Sequence, residues 1–387
     1  MTGMLEDIRV IDLTTVVFGP YATQMLADMG ADVIKVEPPE GDQMRQAGRP
    51  KQVRGMGPVH MTLNRGKRSI ALDLRQPADA DVMRGLLADA DVFIHNVRGA
   101  GIARLGFDYE SVRAIRPDII YVHCVGFGSD GPYAGLQAYD DVIQAATGTA
   151  TLLPRADGDA RPRFLPSLIA DKVSGLYGTQ AVLAALFHRQ RTGEGQLVEV
   201  PMLECFAQFM LQEHLYGEIH EDPVQPAGYP RQVDPHRQPF PTRDGWVSIV
   251  PYTAVTIARV FEVLEATDVF EDPRFATDLD RLRNVSLLYA EIARRTPART
   301  SAEWVGIMNA AGVPCMEVRD VQDIRSDPHL TAVDFFHHRQ HPTEGGYVEM
   351  RLPIRFAAAP ARELAHPPAI DEHGPALRAE VERRRNR

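Results

Sequence analysis

The sequence predicts an α/β fold with a large Rossmann-like domain, built on a parallel sheet, and a smaller α+β domain. Strand-like and helix-like segments alternate along the first half of the chain. A proline-rich polar segment, 223–241, then interrupts the pattern before further elements begin. The chain has 387 residues and is 44% hydrophobic, more apolar material than one ordinary core needs. These observations favour two domains.

The first elements indicate a βαβ unit. Ile8–Leu13 is apolar and β-branched, Gly19–Pro20 starts a helix that Gly30 ends, and 31–37 is apolar again. Further strands are predicted at 69–74, 91–96, 119–125 and 196–201, with helices near 78–90, 109–115, 171–193 and 201–217. Because a helix joins each strand to the next, we expect a parallel sheet covered on both faces.

A smaller set of elements follows the proline-rich segment. A strand is predicted at Trp246–Val250, a hairpin turn at Gly345–Gly346 and a charged helix or frayed tail at 376–387. Helices are predicted near 253–264, 282–295 and 301–311. The expected limits are a large domain from 1–205 with about 350–387, a linker at 206–240, a small domain at 241–325 and a return linker at 326–349.

Charge and apolar patterning disfavour several classes of protein. The net charge of −10 repels polyanions, so nucleic acid is not an expected partner. No apolar run approaches the roughly twenty residues that span a bilayer, and 1–10 carries charges where a signal peptide is apolar. We therefore expect a cytoplasmic protein without a membrane partner. Cys124, Cys205 and Cys315 form neither a disulfide framework nor a metal pair.

Two further patterns are weak candidates for chemistry. Cys205 lies in an apolar helical run, where a buried thiol is inert as a nucleophile. His337, His338 and His341 lie in a polar segment bounded by proline, which is typical of a solvated surface. No metal site is expected.

Gly126–Gly131 matches the dinucleotide motif G-x-G-x-x-G after a predicted strand. Pro132 and Gly135 keep this segment in a loop until about Tyr139, so no helix N-terminus faces a pyrophosphate. The first turn, 14–18, is also bulky where that fold has glycines. We expect no nicotinamide or flavin; the glycines predict positive φ angles or backbone N–H groups that face an anion.

Asp171 is the candidate catalytic residue. An amphipathic helix begins there, carries apolar residues at helical spacing, and ends at Gly193 after two arginines. Asp171 would be the N-cap of this helix, a role that by itself needs no chemistry. On this segment alone capping is the simpler explanation, and other parts of the chain decide against it.

Many blocks of sequence coincide in order and spacing with one enzyme family. They are Gly19–Pro20, Ala31–Pro39, Asn64–Leu74, Asn96–Arg98, Arg104–Phe107, Gly126–Gly128, Gly131–Tyr133, Tyr139–Asp140, Gly193–Gln196, Ala311–Pro314 and Asp327–Leu330. As a set they resemble the class III CoA-transferases, the CaiB/BaiF family that includes formyl-CoA and carnitine CoA-transferases. The resemblance covers nearly the whole chain.

The resemblance implies a ping-pong exchange in which an aspartate carries first the acyl group and then CoA, and Asp171 stands at the matching position. A carboxylate that attacks a thioester gives an aspartyl anhydride, and the returning thiolate gives an aspartyl-CoA thioester. A coenzyme A thioester is then a substrate, a carboxylic acid is the acceptor, and no cofactor is bound permanently. Free aspartate titrates near pH ~4, so Asp171 is expected to be ionised. Backbone N–H groups of Gly126–Gly131 are candidates for an oxyanion hole.

The resemblance also implies which residues contact CoA. The matching positions are Val17, Phe18, Leu72, Arg75, Asn96, Val97, Arg98, Arg104 and Tyr139. Lys67 and Arg68 join the cations that lie at or after strand ends, where open α/β sheets bind ligands. Val17, Pro38 and Gln137 replace a glutamine, a basic residue and a lysine of formyl-CoA transferases, whose glycine-rich flap has no counterpart at 223–246. These departures speak against oxalate and formate as substrates.

Two alternatives stay open. A 2-methylacyl-CoA racemase pairs an aspartate with a histidine, but Tyr139–Asp140 stands at the histidine's place, and a phenol with a pKa near ~10 is a poor base. The other alternative is an acyl-CoA-binding protein without turnover, in which Asp171 only caps its helix. The resemblance further implies an interlocked homodimer. The acyl donor and acceptor are left unidentified.

Overall fold

The computed structural model describes residues 3–359 and 363–386. The chain divides into two compact units. The first comprises the chain up to Thr149, Phe164–Leu211 and the part from Leu330 onward, and the second comprises Ala150–Arg163 and Gln212–His329. The segment 326–349, expected as a return linker, therefore contains a hairpin of the first unit.

The strands follow one another along the chain. They are β1 (Arg9–Leu13), β2 (Asp32–Glu37), β3 (Arg68–Ala71), β4 (Val92–His95), β5 (Ile120–Val125), β6 (Gln196–Pro201), β7 (Phe240–Pro241), β8 (Trp246–Ile249), β9 (Cys315–Glu317), β10 (Phe336–His341) and β11 (Gly345–Met350).

The helices are, in chain order, α1 (Phe18–Asp28), α2 (Pro58–Leu63), α3 (Pro77–Leu87), α4 (Gly99–Arg104), α5 (Tyr109–Ile115), α6 (Asp140–Ala146), α7 (Leu152–Asp157), α8 (Ile169–Thr192), α9 (Met202–His214), α10 (Ala254–Val263), α11 (Asp278–Arg283), α12 (Val285–Arg295), α13 (Ser301–Ala310), α14 (Pro328–Ala332) and α15 (Gly374–Arg385). Within the described residues no helix combines the length and apolarity that a membrane crossing requires.

The first unit is built on a parallel sheet in the order β3-β2-β1-β4-β5-β6. Alternate residues of each strand point to opposite faces, so Val10 joins one apolar layer and Ile11 the other. The predicted α/β fold with a parallel sheet is confirmed. The strand order reverses between β1 and β4, and such a switch point leaves a crevice at the carboxyl ends of the strands.

Helices α1 and α8 pack together on the sheet face that carries the apolar layer of Val10, and glycine residues lie at their contact. A Cβ added to Gly175 would lie 2.9 Å from the Phe18 carbonyl oxygen, which is closer than real Cβ atoms approach. The small residue therefore lets the start of α1 lie directly against the second turn of α8.

We expect Gly175→Ala to destabilise the protein by about 1 to 3 kcal/mol, because the methyl group must push two packed helices apart. Urea unfolding measures this change. Gly306→Ala is the matched control, since Gly306 lies within α13 with no atom within 4 Å of an added Cβ. The control should be neutral or slightly stabilising. Equal behaviour of the two variants would contradict close packing at Gly175.

The second unit contains an antiparallel sheet in the order β7-β8-β9. Its core includes Val247, Phe261, Tyr289 and Trp304. The helix predicted near 282–295 is α12, which begins at Val285 instead; Asn284 separates it from α11, and the Asn284 side chain donates to the carbonyl oxygens of Arg274 and Asp280.

The hairpin β10–β11 corrects one expectation about histidine. His341 is buried, not solvated: its Nε2 lies 2.9 Å from the Pro367 carbonyl oxygen, and its Nδ1 accepts from the N–H groups of Thr343 and Glu344. The imidazole therefore satisfies backbone groups. No group of three His, Cys, Asp or Glu side chains within 3–359 and 363–386 is arranged to hold a metal ion.

Candidate active site

A cavity of about 470 Å³ lies at the crevice of the parallel sheet, within the first unit. The turn after β1, the start of α4, the end of β5 and the loop from Gly126 to Tyr139 form its walls, and Asp171 opens onto it. The cavity thus occupies the switch point at the carboxyl ends of the strands, where open α/β sheets bind ligands.

Asp171 lies in the first turn of α8 and is not the N-cap, so that expectation was wrong. The helix begins at Ile169, and Leu168 is the N-cap residue. The Asp140 carboxylate satisfies the helix end instead, because its Oδ1 accepts from the N–H of Ala170 at 2.7 Å and of Asp171 at 3.1 Å. The side chain of Asp171 is therefore left to face the cavity.

Burial raises the pKa of Asp171 to about 7, and the nearby negative charge of Asp140 adds to the rise. The Phe18 backbone N–H acts in the opposite direction and lowers the pKa. The expectation of full ionisation at neutral pH was wrong, because loss of solvation outweighs the helix N-terminus. At neutral pH the site holds both the acid and the carboxylate, and the carboxylate is more basic than that of a solvated aspartate.

The structure brings together some of the residues expected to contact CoA. Phe18, Asn96, Arg98 and Tyr139 line the same cavity as Asp171. Val17 is buried at the N-cap of α1, directly beside this group. Arg98 is the N-cap residue of α4 and exposed, and it forms no ion pair with another described residue. Its guanidinium is thus available for an anion.

Other expected CoA contacts do not line the cavity. The Leu72 side chain is buried in the second apolar layer. Arg75 is exposed, and its Nε lies 2.8 Å from Asp73 Oδ1. The Val97 carbonyl oxygen lies 3.0 Å from His123 Nε2, and Arg104 is exposed at the last turn of α4. Contacts from these residues would have to be made outside the cavity.

Lys67 and Arg68 are placed differently from the expectation of phosphate-binding cations. Lys67 is buried, with its Nζ 3.2 Å from Asp12 Oδ2 and 2.8 Å from Thr23 Oγ1. Arg68 pairs with Asp32 and with Glu380. Both side chains form ion pairs within the fold, because such pairs join the strand ends of this sheet to neighbouring elements.

The glycine-rich loop also differs from the expectation. None of Gly126, Gly128 and Gly131 has a positive φ angle. Gly126 is needed for close approach, since a Cβ there would lie 2.3 Å from Ala138 Cβ. The Gly128 N–H donates to Glu204 Oε1 at 2.9 Å, so it does not face the cavity as an oxyanion donor. The absence of a helix between Gly126 and Tyr139 agrees with the sequence interpretation.

Two residues of the cavity wall that the sequence patterns did not indicate bear on the chemistry of the site. His123 lies near the end of β5, stacked on His95 with ring centroids 4.4 Å apart, and burial lowers its pKa. Val16 lines the cavity with a φ angle of 70°, a conformation rare for a β-branched residue. The only indication in the sequence was that His123 lies in a predicted strand. Cys124 is buried there, and burial raises its thiol pKa, so it stays protonated.

Comparisons with known proteins agree with this geometry. The sequence model of CoA-transferase family III matches residues 5–374. The succinate–glutarate CoA-transferase of Agrobacterium fabrum is 32% identical over 391 residues, covering 98% of this chain and 96% of that protein. The acetyl-CoA:oxalate CoA-transferase of Acetobacter aceti is 30% identical over 383 residues, covering 98% and 96%.

A solved structure shows the same fold. The crystal structure of a CaiB/BaiF family protein from Brucella suis matches with a TM-score of 0.84 and 32% identity, over 98% of this chain and 100% of that one. The family match spans nearly the whole sequence, and the named relatives are transferases of CoA. The chain therefore belongs to CoA-transferase family III and is an enzyme of that family.

Proposed function

We propose that the protein moves CoA from an acyl-CoA thioester to a free carboxylic acid by a ping-pong route through Asp171. The observation that carries this proposal is the carboxyl of Asp171, which opens onto the cavity and is held there with a pKa of about 7. A carboxylate of raised basicity in a confined site is a better nucleophile toward a thioester than a solvated one.

Each step of the route exchanges one acyl bond for another. An oxygen of Asp171 attacks the thioester carbonyl, the C–S bond breaks, and an aspartyl anhydride and CoA thiolate result. The thiolate then attacks Cγ of Asp171, the C–O bond of the anhydride breaks, and the first acid leaves. The acceptor carboxylate attacks Cγ of the aspartyl-CoA thioester, the C–S bond breaks, and a second anhydride and CoA thiolate result. The thiolate finally attacks the acyl carbon of the acceptor, the C–O bond of this anhydride breaks, and Asp171 is freed as the carboxylate. No net proton is consumed.

The wall around Asp171 suits these steps. Phe18 lines the cavity with Asp171, and its backbone N–H lowers the pKa of that carboxyl, so this N–H is the candidate donor to the oxygen that becomes negative when the thiolate attacks. The Phe18 N–H replaces the glycine-rich loop as the candidate oxyanion donor. The Asp140 carboxyl beside Asp171 adds to the rise in the pKa of Asp171, which favours attack by the nucleophile over persistence of the free carboxylate.

Trapping the intermediate tests the proposal directly. The protein is incubated with an acyl-CoA and then with hydroxylamine or borohydride, and modified residues are located by mass spectrometry. Modification of Asp171 supports transfer. An unmodified Asp171 in a protein that still exchanges CoA would place the nucleophile elsewhere.

The two alternatives give different results in this experiment. A racemase would exchange the α-proton of the acyl group without forming an adduct on Asp171. His123 lines the cavity, but its Nε2 is occupied by the Val97 carbonyl and its pKa is lowered by burial, so it supports this alternative only as a neutral base. A passive binding protein would show neither the adduct nor proton exchange.

We propose that Arg98 binds a phosphate or the pantetheine chain of CoA at the cavity. Arg98→Ala is expected to raise the Kd of CoA by about 10-fold, because a charge-assisted contact is lost. Isothermal titration calorimetry measures the change. Arg104→Ala, outside the cavity, is expected to weaken binding too, and an unchanged Kd would refute the role of either residue.

The matched control for Arg98 is Arg113→Ala, which removes an exposed arginine of α5. Its Kd for CoA should stay within about 2-fold of wild type, since a distant surface charge is screened by salt. A loss as large as that of Arg98→Ala would point to a general effect of net charge.

The acyl donor and acceptor are proposed only as a thioester and a carboxylic acid. Relatives named above act on succinate and glutarate or on acetyl-CoA and oxalate. A panel of these acids, with succinyl-CoA or acetyl-CoA as the donor, identifies the pair by turnover. The replacements at Val17, Pro38 and Gln137 predict that oxalate is a poor acceptor.

We also propose a homodimer. Exposed apolar side chains on the first unit support this, namely Leu176 and Phe187 of α8 and Phe209 of α9. Light scattering during size-exclusion chromatography determines the mass in solution. A mass of one chain at micromolar concentration would contradict the proposal.

A further inference from the structure

The turn between β1 and α1 is strained where it passes the cavity. Val16 has a φ angle of 70°, and a β-branched residue pays a steric cost in that conformation. Such a conformation persists only where surrounding groups determine it. The turn leads directly to Phe18, which lines the same cavity as Asp171.

The Asn96 side-chain amide forms hydrogen bonds with both backbone groups of Thr15 in this turn. Its Oδ1 accepts from the Thr15 N–H at 3.0 Å, and its Nδ2 donates to the Thr15 carbonyl oxygen at 2.9 Å. Asn96 directly follows β4, the strand paired with β1, so the amide ties the turn to the rigid sheet. The amide oxygen and the amide nitrogen of Asn96 thus each have a backbone partner in the turn.

A buried ion pair holds the flanking residues. The Nζ of Lys35 donates to the Thr14 carbonyl oxygen at 3.0 Å and to Asp42 Oδ2 at 3.0 Å. Asp42 Oδ1 in turn accepts from the Val16 N–H at 3.3 Å. Lys35 is fully buried and Asp42 is 3% exposed. Three side chains from separate parts of the fold therefore fix three consecutive residues.

We propose that Asn96 is a positioning residue for the transfer reaction, holding the strained 14–16 turn in the conformation that places Phe18 in the cavity wall with Asp171. This inference rests on the proposed function, because it concerns acylation of Asp171. It gives Asn96 a role distinct from the CoA contact that the sequence resemblance implies: the amide acts through the backbone of Thr15 and not on the substrate.

The test compares wild type, Asn96→Ala, Val16→Gly and the double variant. Asn96→Ala is expected to lower kcat by about 100-fold, since a small displacement of aligned groups has effects of this size. The Kd of CoA should stay within about 3-fold, because no direct contact is lost. Glycine adopts a positive φ angle without cost, so the double variant should recover at least about 10-fold in kcat.

Several results would overturn the inference. An unchanged kcat with a raised Kd would make Asn96 a CoA contact, and a double variant no faster than Asn96→Ala would rule out strain at Val16. If Asn96→Ala does not fold, Val16→Gly is compared with Val16→Ala, which removes similar bulk but retains the strain. Val16→Gly should then melt at the higher temperature, and equal or reversed melting temperatures would overturn the inference.

The trapping experiment keeps this inference separate from the proposed function. If wild type forms no adduct on Asp171, the proposed function fails. If wild type forms the adduct and Asn96→Ala forms it at the same rate in a single turnover, only the role of Asn96 fails.

Discussion

Asp171→Ala is expected to abolish CoA transfer, with a loss of at least about 1000-fold in kcat, because the carboxylate that forms both covalent intermediates is removed. Its affinity for CoA should stay within about 3-fold, since the residue contributes chemistry and not the main binding contacts. Transfer between an acyl-CoA and a carboxylic acid, followed by chromatography of the thioesters, measures the first quantity, and calorimetry measures the second.

Asp141→Ala is the control for this variant. Asp141 lies next to Asp140 on α6, is exposed and does not line the cavity, so its removal tests the loss of a nearby negative charge alone. Asp141→Ala should transfer CoA at close to the wild-type rate. Substantial activity in Asp171→Ala, with no adduct found on that residue in wild type, would remove the basis for the covalent route.

The second large effect concerns stability and its pH dependence. Burial and the charge of Asp140 raise the pKa of Asp171 from 3.8 to about 7 in the folded protein. The folded state therefore binds this proton more tightly than the unfolded state, and stability falls as pH rises from about 4 to about 7. Above this window the buried carboxylate costs up to about 4 kcal/mol, an upper bound because the site relaxes and admits water.

Asp171→Asn keeps the shape of the side chain and removes the charge, so it is expected to stabilise the protein at alkaline pH. The difference in free energy of unfolding from wild type should be about 2 to 3 kcal/mol larger near pH ~8.5 than near pH ~5. Urea unfolding at both pH values measures it. The exposed control Asp141→Asn should leave the pH dependence of the free energy of unfolding unchanged. If Asp171→Asn also leaves it unchanged, the Asp171 carboxyl is well solvated and the prediction is wrong.

At Asp171 the two predictions imply that stability and activity oppose each other. The environment that makes the folded protein less stable at alkaline pH also makes Asp171 a stronger nucleophile. A variant that gains stability by removing the charge therefore loses the reaction. The same opposition extends to Val16, whose strained backbone lies beside the reacting group.

Local patterns were sufficient to predict most elements of the first unit. The helix 109–115 and the strand 196–201 have the predicted limits, since apolar periodicity and turn residues act over a few positions. The helix predicted near 282–295 begins only at Val285, after Asn284, whose side-chain hydrogen bonds to the backbone of Arg274 and Asp280 depend on the fold. The domain limits, with a linker at 206–240 and a return linker at 326–349, stay predictions.

The sequence by itself determined the α/β class, the parallel order of alternating elements and Asp171 as the residue to test, because periodicity and motif order are written along the chain. Only the tertiary structure decided that Asp140 caps α8, that Lys67 is paired with Asp12, and that burial raises the pKa of Asp171 to about 7. Solvation and charge at an atom depend on neighbours that are distant in sequence, and those neighbours meet only when the chain folds.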